Sequence, residues 1–126
     1  NQGDYDMPIR GVRGAITAED NTAANILSNT TQLLKLLITK NAINIDDIAS
    51  IFFSITDDLT TAFPAQAARN MGLTETPLLC LNEIKVPEGL QQCIRILMHV
   101  NTDVPQSEIH HIYLKEASQL RPDQVK

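Results

Sequence analysis

Two arginines interrupt apolar, strand-like stretches of the chain: Arg13 within residues 9–17 and Arg95 within residues 92–102. A guanidinium is permanently charged, planar and able to grip a carboxylate in a fork. Small neighbours such as Gly11, Gly14 and Ala15 leave backbone space around the Arg13 side chain, which suits capture of a small anion. By residue type alone, strand arginines are more often solvated surface residues. Taken singly, Glu83 reads as a solvated loop carboxylate, Tyr113 as a core residue, and Arg69 and Arg121 as solvated cations. Cys80 has no base placed beside it, so its side chain reads as a small apolar filler and not as a nucleophile. Cys80 and Cys93 form no C-x-x-C pair, and His99, His110 and His111 lack a helical i, i+4 partner. On a strand, His110 and His111 would point to opposite faces. A metal site is therefore not expected.

The bulk properties frame this chemistry. A chain of 126 residues supports one domain with a core. A net charge of −5 argues against nucleic acid or an anionic membrane as the main partner. It leaves room for a small anionic ligand, since a few buried arginines define a site that net charge hides. No apolar run approaches the roughly 20 residues needed to span a bilayer, and no signal-peptide pattern opens the sequence. Two thiols without such a signal imply a reducing, cytoplasmic setting.

The elements that must position these residues follow from periodicity. Residues 1–8 are expected as a flexible or expression-derived lead-in, and residues 9–126 as the domain, with 116–126 as its tail. Residues 9–17 read as a strand with Arg10, Val12 and Gly14 on one face and Arg13 and Ala15 on the other. Asp20, Asn21 and Thr22 supply capping side chains. Ile26, Leu27, Leu33, Leu34, Leu37 and Ile38 then recur at helical spacing up to about Asn41. A turn at 44–47 leads to a buried strand at 48–56. Thr60 or Thr61 precedes a shorter helix closed by Gly72. Short strands are expected at 77–81 and 109–114, a turn at 87–89, and a clear strand at 92–102 whose Ile94, Ile96 and Met98 alternate with Arg95, Leu97 and His99. The elements mix without strict β-α-β alternation, so the expected class is α+β: a mixed β-sheet packed against two main helices.

Seven ordered segments carry a resemblance. They are Arg10-Gly11-Val12-Arg13-Gly14-Ala15, Phe63-Pro64-Ala65-Gln66-Ala67-Ala68-Arg69, Pro77-Leu78-Leu79-Cys80-Leu81-Asn82-Glu83, Cys93-Ile94-Arg95, Asn101-Thr102-Asp103-Val104-Pro105-Gln106, Ile112-Tyr113-Leu114 and Leu120-Arg121-Pro122-Asp123. Together they resemble the monofunctional chorismate mutases of the small α/β-barrel class, over nearly the whole chain. The resemblance implies a pseudo-α/β-barrel homotrimer with active sites between subunits, and conversion of chorismate to prephenate without a cofactor or metal. Gln66 departs from the family's frequent lysine, and Leu79 from its frequent threonine. The segment between Arg69 and Pro77 is one residue shorter than in close relatives.

That reaction is an intramolecular [3,3] rearrangement of a dicarboxylate ether. It calls for a compact substrate conformer and fixed charges where charge develops, with no proton transfer. The resemblance implies that Arg95 contacts the ether oxygen and a carboxylate, while Arg13 and Tyr113 hold the side-chain carboxylate. It assigns Glu83 and the Cys80 backbone N–H to the ring hydroxyl, with Glu83 also facing developing positive charge. Phe63 and Ala65 would line the pocket, and Arg69, Leu120 and Arg121 would shape its mouth, Phe63 and Arg69 coming from another subunit. Two rivals are a trimeric imine or enamine deaminase, which would release ammonia, and a silent module that binds such dicarboxylates without turnover.

Overall fold

The computed structural model describes residues 7–120. Its first strand, β1 (Ile9–Thr17), pairs antiparallel along its whole length with β4 (Cys93–Asn101). The other edge of β4 pairs antiparallel with β2 (Ile48–Ile55). Two short parallel strands complete the sheet: β3 (Leu78–Asn82) beside β2 and β5 (Ile112–Leu114) beside β1. The order is β3-β2-β4-β1-β5, a mixed sheet with β4 at its centre. The α+β expectation holds.

One face of the sheet is covered by α1 (Ala23–Lys40). Thr22 caps it, its hydroxyl accepting the Asn25 N–H at 3.2 Å. Ile26, Leu33, Leu34 and Leu37 form the buried stripe of this helix, and they meet Val12, Ile16, Ile51, Phe53, Ile94, Ile96 and Met98 in the main core. Gly14 allows the close approach, since a Cβ there would stand 3.0 Å from Leu33 and 3.1 Å from Leu37. The second helix, α2 (Ala65–Asn70), is a short one. It stops at Gly72, whose φ of 99° suits glycine.

Several expectations are corrected. Thr60 and Thr61 precede α2, but the helix starts only after Pro64 and without a side-chain cap. Asn21 holds both threonines, accepting the Thr60 N–H at 2.9 Å and the Thr61 hydroxyl at 3.1 Å. Strand β2 is buried on one face only: Ile51 and Phe53 are buried, while Phe52 is 38% exposed because no helix covers that face. The last strand is shorter than 109–114, and His110 and His111 lie before it. The His110 N–H donates to Asn41 Oδ1 at 2.7 Å, and His111 Nδ1 accepts the Arg13 N–H at 2.9 Å. Residues 116–119 of the expected tail are part of the fold. Lys115–Gln119 form a 3-10 turn with Ala117 buried against Ala15, Cys93 and Tyr113. At the other end, the Pro8 carbonyl accepts the Thr102 N–H at 2.9 Å, so the expected loose lead-in is already tied at residue 8. The remainder of that lead-in, residues 1–6, and the tail from 121 lie outside the described residues.

Candidate active site

Strand register alone assembles a row across the sheet face opposite α1. Leu81 pairs with Ser54, Ser54 with Arg95, Arg95 with Ala15, and Ala15 with Tyr113. Arg13 lies two residues before Ala15 on the same face. Ala15, between the arginine and the tyrosine in this row, is fully buried against Cys93, Tyr113 and Ala117.

Glu83 reaches this row from the residue after β3, its own N–H held by the Ile55 carbonyl at 2.9 Å. Its Oε2 lies 3.2 Å from Arg95 Nη1, and its Oε1 accepts the Ser54 hydroxyl at 2.8 Å. Both charged side chains are about three-quarters shielded, which makes the pair more than a loose surface contact. Arg95 nevertheless keeps an unused donor. Its Nε, like the Tyr113 hydroxyl, is buried with no hydrogen-bond partner among the described residues. A buried donor without an acceptor is costly, and an anionic oxygen would relieve that cost.

Arg13, Ser54, Glu83 and Arg95 line one depression of about 260 Å³, walled by Phe52 and Leu81. Arg95 also borders two larger clefts of about 600 Å³. One runs between residues 88–92 and the 3-10 turn, with Leu120 in its wall; the other runs under residues 83–91. Among the described residues, three of the four non-glycine residues with positive φ, Glu88, Gln92 and Lys115, lie in or beside these walls. Such strain persists where surrounding contacts over-determine it. At Gln92 the determinant is Asp58, whose carboxylate accepts the Gln92 N–H at 3.0 Å and the Thr56 hydroxyl at 2.6 Å. Thr56 Oγ1 in turn accepts the Cys93 N–H at 3.0 Å, pinning the start of β4 just ahead of Arg95.

Neither cysteine offers a nucleophile. Burial pushes the Cys93 thiol up, with nearby Arg95 opposing the shift. The Cys80 side chain packs towards the main core. Its backbone is better placed. Ile51 N–H bonds the Pro77 carbonyl and Glu83 N–H bonds the Ile55 carbonyl, so the odd-numbered residues of β3 face β2. In a parallel ladder each residue sends its N–H and C=O to one side. The Cys80 N–H therefore points to the free edge.

Other expected residues stand apart within the single chain. Phe63 is 69% exposed, and Arg69 is exposed and 3.3 Å from Gln66 Oε1. Neither lines a cleft with Arg95. The Ala65 side chain is buried in the main core as α2 begins. Arg121 lies outside the described residues. Sequence reasoning missed Ser54, Thr56 and Asp58. Their only signal is a short polar residue at the end of an apolar strand and an acid just beyond it. Among the described residues, no group of three or more His, Cys, Asp or Glu could hold a metal ion.

Arg13, Arg95 and Glu83 thus share one sheet face, and among the described residues the buried Arg95 Nε has no hydrogen-bond partner. The fold and the relatives say which class of enzyme carries this arrangement. The chain belongs to the family described as chorismate mutase type I, whose model matches residues 9–124. It is 46% identical over 116 residues to chorismate mutase AroH of Thermus thermophilus, covering 91% of this chain and 95% of that one. It is 45% identical over 118 residues to chorismate mutase AroH of Bacillus subtilis (strain 168), covering 93% of each. The solved chorismate mutase from Clostridium thermocellum Cth-682 superposes with a TM-score of 0.85 at 53% identity, covering 86% of this chain and 97% of that one.

Proposed function

We propose that this chain, an isomerase by family, rearranges chorismate to prephenate by electrostatic stabilisation centred on Arg95. The observation that carries the reading is the divided state of that guanidinium: one nitrogen is engaged by Glu83, while the buried Nε has no acceptor among the described residues. As the substrate C–O bond breaks ahead of C–C bond formation, negative charge grows on the ether oxygen. Arg95 supplies a preorganised donor to that oxygen and to a carboxylate. Arg13 and Tyr113, on the same sheet face, hold the side-chain carboxylate. Glu83 and the free-edge N–H of Cys80 take the ring hydroxyl, and Glu83 faces the positive charge that develops on the ring. Leu120 forms part of the mouth.

Phe63 and Arg69 come from a neighbouring subunit of a homotrimer. Two features support this arrangement: both residues are exposed and remote from Arg95, and the face carrying Arg95 is apolar and open. Phe52, Leu79 and Leu81 are each between 38% and 50% exposed on that face. An exposed apolar patch of this kind marks a contact surface, and three copies closing on it would form the barrel-like core. The two free cysteines support a cytoplasmic setting. No helix among the described residues is long and apolar enough to cross a membrane.

The test is loss of chorismate absorbance on adding the purified protein, with prephenate as sole product. Release of ammonia from imino acids, or binding of chorismate without turnover, counts against the proposal.

A further inference from the structure

We infer that Ser54 is a positioning residue that prevents Glu83 from occupying Arg95 with both carboxylate oxygens. The inference rests on the Arg95-centred reading above and extends it to a residue outside the sequence-derived site. Ser54 and Arg95 are cross-strand partners, so hydroxyl and guanidinium stand side by side on the open face. The Glu83 carboxylate sits across the two: Oε1 takes the Ser54 hydroxyl at 2.8 Å, and Oε2 faces Arg95 Nη1 at 3.2 Å.

The division matters because an arginine and a carboxylate left to themselves prefer a fork with two parallel hydrogen bonds. A forked pair would spend further Arg95 donors on the protein's own carboxylate before substrate arrives. In this chain Nε remains buried and unpartnered beside an ion pair through Nη1. The serine hydroxyl supplies the competing donor that ties up Oε1. Glu83 thus stays close enough to counter the buried charge, and Arg95 keeps hydrogen-bonding capacity for a substrate oxygen. Ser54 acts through Glu83 and need not touch the substrate.

Threonine and valine at position 54 separate the hydroxyl from its bulk, since they share a shape that suits a strand and differ in one donor. Ser54→Thr is expected to retain kcat/KM for chorismate within about threefold, and Ser54→Val to lose about tenfold or more, the usual worth of a hydrogen bond to a charged group. In a Glu83→Ala background the difference between threonine and valine is expected to vanish, as a double-mutant cycle requires when one residue works through another. Equal kcat/KM for the two variants overturns the inference while leaving the wild-type chemistry intact. So does a difference that persists without Glu83. Absence of chorismate turnover by the wild-type chain overturns both the inference and the reading on which it rests.

Discussion

At the scale of single residues, the proposed mechanism rests on charge that is held in place. Arg95 is shielded, tied on one side by Glu83 and left open at Nε. Replacing it with citrulline keeps the shape and removes the charge. Turnover is expected to fall by at least about 10²–10³, the usual worth of a preorganised donor aimed at developing charge. The measurement is kcat on a protein shown by circular dichroism to be folded; near-normal turnover would defeat the electrostatic mechanism. Arg13, Arg95 and Glu83 were legible from sequence because their types and spacing match an ordered set of motifs. Ser54 was not, because a serine in Ile-Phe-Phe-Ser-Ile says nothing by itself. Its meaning comes from a carboxylate 29 residues further on. The Ala65 side chain shows the converse: its place in a motif does not tell which way a small side chain points, and within one chain it packs into the core.

At the scale of elements, the strands and α1 were readable because apolar spacing reports directly which face is buried. The errors fall where a distant partner decides. The second helix starts only after Pro64, because Thr60 and Thr61 just before it are held by Asn21, some 40 residues earlier. The segment after β5 looks like the start of a polar tail, yet it is anchored from the β1–α1 connection. Lys115 Nζ lies 2.5 Å from Glu19 Oε2 and 2.6 Å from Asn29 Oδ1, and Asn29 Nδ2 donates back to Glu19 Oε1 at 3.1 Å. Lys115 and Asn29 together hold the Glu19 carboxyl down at about 2, against an ordinary 4.5. A carboxyl depressed in the folded state adds stability above its ordinary value, and that stability is lost as pH falls through the folded value. A melting-temperature difference between wild type and Glu19→Gln is therefore expected at neutral pH. It should shrink below about pH 4.5 and be gone by about pH 2, and it should be modest because Glu19 is largely exposed. Thermal melts of the two proteins across this range check it. A gap unchanged at pH 2 would show that the carboxylate charge is not what anchors the turn.

At the scale of the molecule, the strand order β3-β2-β4-β1-β5 was beyond reach of the sequence pattern, which ranks strands along the chain and not across a sheet. That order nevertheless leaves one face covered by α1 and the other presenting Phe52, Leu79 and Leu81. In the proposed trimer this face meets its neighbours, and Phe63 and Arg69 reach a site on another copy. Phe52, edge-on to His99 at 5.5 Å, stands within that patch and also walls the Arg13–Arg95 depression. Phe52→Asp is expected to yield monomers by light scattering and to lose most activity together with assembly. A fully active trimer carrying this substitution would remove the open face from the interface.

The central position of β4 has one further consequence. Its amides are bonded to β1 on one side and β2 on the other, so they exchange with solvent only when the whole sheet comes apart. The arginine that carries the proposed chemistry is thereby mounted on the part of the chain that opens last. The 3-10 turn can fray and close again while β4 stays paired, so the backbone beneath this charge holds its place until the sheet itself opens.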